Sequence, residues 1–95
     1  MYTIYISANA LNDISEAVDY WNSKREHLGY DFVDEVEASF SNIKQMPTAF
    51  SKRYKEVRGK LVKRFPYLIL YQINTEQQTI EVLRIFNTYQ NPYWK

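Results

Sequence analysis

The hydrophobic repeat of this chain changes period midway. Between Ala10 and Ile43 apolar residues recur every three or four positions, whereas between Tyr54 and Phe86 they recur every two. The first spacing puts one apolar stripe on a helix, and the second puts alternate side chains on one face of a strand. Neither surface is buried by its own element. A chain that is helical first and extended afterwards hides both by laying the helices on a sheet, so the fold class is α+β.

The boundaries follow from the punctuation. Tyr2 to Ile6 is β-branched or aromatic and reads as an opening strand. Ser7 or Asn9 supplies an N-cap for a helix carrying Ala10, Leu11, Ile14, Ala17, Val18 and Trp21 on one face, as far as about His27. Gly29 stands where a left-handed residue ends such a helix. Phe32, Val33, Val36, Phe40 and Ile43 repeat the stripe, Asp31, Asp34, Glu35 and Glu37 favour the positive end of the helix dipole, and Met46-Pro47 stops it. So short a connection makes an antiparallel helical hairpin. Beyond it, Arg58-Gly59 is expected as the turn between strands Tyr54–Val57 and Lys60–Phe65. Tyr67 to Ile73 and Thr79 to Phe86 form two more strands around the polar loop 74–78. The run Tyr67–Tyr71 is apolar on both faces, which makes its strand central. The expected order is β-α-α-β-β-β-β, a mostly antiparallel sheet with the N-terminal helical hairpin on one face. It reads as a single domain over residues 1–95.

A chain this short buries roughly 60–65% of its unfolded surface, which is enough for one core. Sixteen aromatic residues supply it. With no cysteine there are no disulfides or thiolate metal sites, and one histidine, His27, does not build a zinc or iron centre; no metal and no cofactor is expected. The first residues form a strand rather than a signal peptide, and no apolar run reaches membrane-spanning length, so the expectation is a cytoplasmic protein without a membrane partner. Charge is unevenly placed. Residues 1–43 carry eight acids and two bases, net −6, and residues 44–95 carry ten bases and three acids, net +7. Seven Lys/Arg against Glu56 alone crowd into Lys52–Arg64. Such a stretch is either a solvated hairpin rim or a surface for an acidic or polyanionic partner.

Several local patterns then coincide: Ser7-x-x-Ala10-x-x-Asp13-Ile14, Leu28-Gly29-x-x-Phe32-x-x-Glu35-Val36, Ile43-x-x-x-Pro47, Val57-Arg58, Lys63-Arg64-Phe65-Pro66-Tyr67-x-Ile69-x-Tyr71, and Ile80-x-Val82-x-Arg84-Ile85-Phe86. In this order they resemble the RelE/ParE toxin superfamily of type II toxin–antitoxin systems over essentially the whole chain. The resemblance implies a toxin that inhibits an essential cellular target and is neutralised by a cognate antitoxin. RelE-like members cut messenger RNA on the ribosome, and ParE-like members poison DNA gyrase.

The same resemblance favours the ParE-like branch. RelE-like enzymes place an arginine early in the third sheet strand, where this chain has Leu68, and a basic or histidine-containing stretch after the last strand, where it has uncharged Asn87–Asn91. Leu83-Arg84-Ile85-Phe86-Asn87 looks like the end of a ParE-type chain, although the basic residues usual after it are missing. Were RNA cleavage retained, Arg84, Lys63 and Tyr93 are the candidate catalytic groups; a relic that binds only its antitoxin is the third reading. Candidate partner-binding residues are Lys52, Arg53, Arg58, Lys63, Arg64 and Asn87.

Each has a structural alternative. Tyr67, Ile69, Tyr71 and Ile73 share one strand face and belong to the core. Arg84 interrupts an apolar strand, so it is either ion-paired or faces a groove. Asn87 is in the first place a turn or cap residue, and Arg58 an exposed hairpin residue. Lys63 and Arg64, on a strand, point to opposite faces. Tyr89, Tyr93 and Trp94 either cover the sheet or form a docking surface.

Overall fold

The computed structural model describes residues 1–90. Seven elements follow the expected order: β1 Thr3–Ile6, α1 Ala8–Lys24, α2 Leu28–Gln45, β2 Lys52–Tyr54, β3 Val57–Leu61, β4 Tyr67–Asn74 and β5 Thr79–Asn87. The five strands form one sheet in the order β1-β5-β4-β3-β2. β1 runs parallel to β5, and every other neighbouring pair is antiparallel.

Ser7 caps α1, its Oγ accepting from the Ala10 N–H at 3.1 Å. The helix ends without glycine: His27, at φ 67°, takes the left-handed position between the helices. Gly29, expected to be that residue, lies instead in the first turn of α2. It is there for space, because a Cβ would sit 2.8–2.9 Å from the Asn22 amide, whose Oδ1 accepts the Gly29 N–H at 2.8 Å. The hairpin turn is displaced in the same way. Arg58-Gly59 is not a turn but part of β3, and the chain reverses at Lys55-Glu56 with Lys55 at φ 49°. Both strands therefore lie earlier than the periodicity indicates, and β3 ends at Leu61. Lys63 and Arg64 consequently lie on the connection to β4, where strand alternation does not apply; Arg64 has φ 71°.

β4 is the central strand, and all of Tyr67–Tyr71 is buried. Tyr67, Ile69 and Tyr71 join Ala10, Ala17, Phe32, Val36 and Ile43 of the helices, with Ile80, Val82 and Ile85 of β5, in one core. Partly buried Ile73, Ile14, Val18, Trp21, Val33 and Phe40 pack around it. Leu68 and Leu70 point to the other face by alternation and are still buried, 6% and 1% exposed. On that face Gly59 is required by close approach: an added Cβ would lie 2.8 Å from Arg53 Cγ and 2.9 Å from Leu68 Cδ1.

The connection from α2 to β2 is fixed by two side chains of the sheet. The Tyr71 hydroxyl donates to the Pro47 carbonyl at 2.6 Å, and burial pushes its pKa up to about 12, against a smaller opposite pull from the Arg58 guanidinium. Arg58 itself donates through Nη1 to the carbonyls of Phe50 and Thr48, at 2.8 and 3.3 Å. No helix among the described residues is long and apolar enough to cross a membrane.

Candidate functional site

Two surfaces gather the residues singled out by sequence. The first is an open groove of about 390 Å³ between α1 and the end of β5, lined by Asp13, Glu16, Ala17, Tyr20, Tyr67, Arg84, Ile85, Phe86, Asn87 and Gln90. It exists because β1 stops at Ile6 while β5 continues to Asn87, so on its side away from β4 the last part of β5 has a helix rather than a strand beside it. A bulge marks the change: Tyr71 pairs with Val82 and Leu70 with Arg84, leaving Leu83 as an extra residue. Side chains of α1 and its cap then take the place of a strand. Ser7 Oγ donates to the Leu83 carbonyl at 2.9 Å, and Asp13 Oδ2 accepts the Ile85 N–H at 2.9 Å.

Both readings of Arg84 hold at once, because it lines this groove while paired with Asp13. The Asp13 carboxylate accepts Arg84 Nε at 2.7 Å and Nη2 at 2.9 Å, a two-point ion pair. The sequence carried no mark of this partnership, because the two residues are 71 positions apart and Asp13 sits among other helical acids. Asn87 behaves as a cap: its Oδ1 accepts the Tyr89 N–H at 2.9 Å, and its carbonyl accepts Gln90 N–H at 3.1 Å. Between them, Trp21 Nε1 donates to the Tyr67 hydroxyl at 3.2 Å. Burial raises the Tyr67 pKa above its ordinary 10.0, with the Trp21 hydrogen bond opposing. The phenol is thereby held more firmly in its protonated, uncharged form, opposite to the direction a general base requires. Tyr93 and Trp94 lie outside the described residues, as does the end of the 87–91 stretch.

The second surface is the basic one, and the structure separates its members. Arg64 leaves the hairpin and reaches α2, with Nη2 3.5 Å from Asp31 and Nη1 3.6 Å from Glu35. Arg58 is committed to the two loop carbonyls rather than to solvent alone. Lys52 pairs with Glu56 at 3.0 Å. Among the described residues, no ion pair engages Arg53, Lys55 or Lys63. Lys55 lies over the Tyr54 ring at 5.3 Å and Lys60 over the Phe50 ring at 5.5 Å. Lys63 and Arg84 thus belong to different parts of the surface, one on the connection after β3 and the other at the α1–β5 groove.

Comparison with known proteins bears on both surfaces. A family model described as the ParE toxin of type II toxin–antitoxin system, parDE, matches residues 4–92. Among solved structures, a chain described as the chromosomal ParDE TA system from P. aeruginosa superposes with a TM-score of 0.79, at 16% identity, covering 92% of this chain and 96% of that one. At that identity the likeness concerns the fold. No curated protein matches the sequence.

Proposed function

The chain belongs to the ParE toxin family of type II toxin–antitoxin systems, and on that premise we propose that it arrests growth by binding an essential cytoplasmic target, with DNA gyrase as the first candidate, until a cognate antitoxin sequesters it. The observation that carries the proposal is the family match, which runs from the first strand past the last one. The geometry of the groove supports action by contact rather than by bond cleavage. Cutting RNA requires cations to hold the phosphate and groups that move protons. At the position where RelE-like enzymes place an arginine stands Leu68, buried in β4. The Arg84 guanidinium is held in a two-point pair with Asp13, and Asn87 caps the turn that follows β5.

Tightly induced expression in growing cells tests the proposal. The expected outcome is arrest with induction of the DNA-damage response, relieved by co-expressing the antitoxin encoded with the chain. Arrest accompanied by messenger-RNA cleavage at ribosomal A-site codons would favour the nuclease reading. Undisturbed growth despite soluble protein would leave the relic that binds only its antitoxin.

A further inference from the structure

We propose that the basic corner formed by β2, β3 and the connection after them is a contact surface for the phosphate backbone of duplex DNA, held by charge and indifferent to base sequence. The inference goes beyond the toxin reading and does not depend on which protein the toxin binds. Residues 52–64 hold seven Lys/Arg against Glu56, a net +6. Glu56 is engaged by Lys52 at 3.0 Å, and Arg64 is drawn to Asp31 and Glu35 of α2. That leaves Arg53, Lys55, Arg58, Lys60 and Lys63, none of which meets a carboxylate in an ion pair among the described residues. Arg58 and Lys60 donate to backbone carbonyls, which satisfies their N–H groups but leaves their charge uncompensated. Cations crowded in this way repel one another in the free protein, and a polyanion relieves that repulsion.

Their placement matches an extended anion. Lys55 stands in the turn before β3 and Lys63 just beyond its end. The five residues of β3 between them span roughly 13 Å, a length over which duplex DNA carries about eight phosphates. The opposite charge is kept elsewhere. All eight acids of residues 1–43 fall between Asp13 and Glu37, on the helical hairpin. Phosphates are therefore repelled by the helical layer and attracted to the β2–β3 edge, which orients the approach although the whole chain carries a net charge of only +1.

The other side chains at the corner narrow the class of polyanion. Over residues 52–64 Leu61 is the one large apolar side chain that is exposed. A protein partner is anchored by a cluster of apolar and aromatic groups, whereas a phosphate backbone is held by charge alone. Two rings lie here, Tyr54 and Phe50, and both are half-buried with a lysine over the face, Lys55 at 5.3 Å and Lys60 at 5.5 Å. Proteins that hold single strands stack unpaired bases on open rings, so rings already covered by lysines favour a duplex. Cations that address phosphates position a protein on the duplex without reading its sequence.

The test titrates the full chain into a short fluorescent DNA duplex of arbitrary sequence and follows anisotropy over a series of salt concentrations. Wild type should bind with log affinity falling against log salt at a slope of about −3, as three or four phosphates are neutralised. The double variant Lys55→Gln with Lys63→Gln removes one exposed cation at each end of β3, and its melting curve checks the fold. It should bind on the order of a hundredfold more weakly at about 50 mM salt, with a slope shallower by about 2. In wild type the amide resonances of residues 52–64 should shift as duplex is added while those of α1 stay, a readout that needs no variant. Failure to bind at low salt, an unchanged affinity and slope in the folded variant, or shifts centred away from 52–64 would overturn the proposal. Tighter binding of single-stranded RNA of the same length would give the surface to RNA and overturn it too. Slower association of the variant with the antitoxin encoded beside it, with duplex binding intact, would assign these cations to the antitoxin and likewise overturn it.

Discussion

Replacing Asp13 with alanine should destabilise the fold by about 1.5–4 kcal/mol, more than the loss of most single surface charges. The carboxylate is 10% exposed and serves two partners. One is the N–H of Ile85, a residue that is buried and lies where β5, on its side away from β4, is flanked by α1 instead of β1. Removing its acceptor leaves a buried donor unpaired, which costs about 1–3 kcal/mol. The other is Arg84, whose side chain is 46% exposed. Solvent screens that pair, so it adds only about 0.5–1 kcal/mol. In a domain of 95 residues the sum lowers the melting temperature by roughly 6–30 °C. Asparagine keeps one oxygen for Ile85 and loses the ion pair, so Asp13→Asn should fall between alanine and wild type. Urea unfolding followed by circular dichroism measures all three. If alanine lay within about 0.5 kcal/mol of wild type, α1 would not be acting as a substitute strand along β5, and the account of the groove would fail.

Gly59→Ala should cost about 1–3 kcal/mol, because Leu68 is buried and cannot retreat from the new methyl group as Arg53 can; a thermal melt equal to wild type would refute the close approach. Tyr71→Phe should cost about 1–2 kcal/mol at neutral pH by leaving the Pro47 carbonyl unpaired. It should also change the alkaline limb: the folded pKa of about 12 exceeds the unfolded value near 10, so the folded state holds the proton longer and its stability is lost as pH rises from 10 towards 12. Denaturation curves across that range should fall less steeply for the variant than for wild type, and parallel curves would contradict the assignment.

The sheet-on-helix plan was legible because the change in apolar period is a property of the chain alone, and β4 declared its central place by being apolar on both faces. The turns were not. The chain has two glycines, and each was expected at a turn by its conformational freedom, yet neither has a positive φ. Both are required where another side chain comes close, Asn22 over Gly29 and Arg53 over Gly59. The left-handed positions fall instead to His27, Lys55, Arg64 and Gln78. Local rules find glycines that bend the chain, but a glycine that makes room depends on a neighbour brought by folding. The groove was hidden for the same reason. Arg84 stood out as a charge within an apolar strand, while its partner Asp13 resembled any other helical acid until the fold joined them. The basic stretch was visible as charge, but which cations are engaged depended on Asp31 and Glu35 of α2 and on the carbonyls ahead of β2.

The most direct test of the proposal that this ParE-family chain acts by binding gyrase, rather than by cutting RNA, is a supercoiling assay with purified components. Gyrase is given relaxed plasmid and increasing amounts of the folded protein, with and without its antitoxin. The account predicts that supercoiling falls as the protein is added and returns when the antitoxin is present in equal amount. Full supercoiling activity in the presence of a large molar excess of folded protein would contradict it.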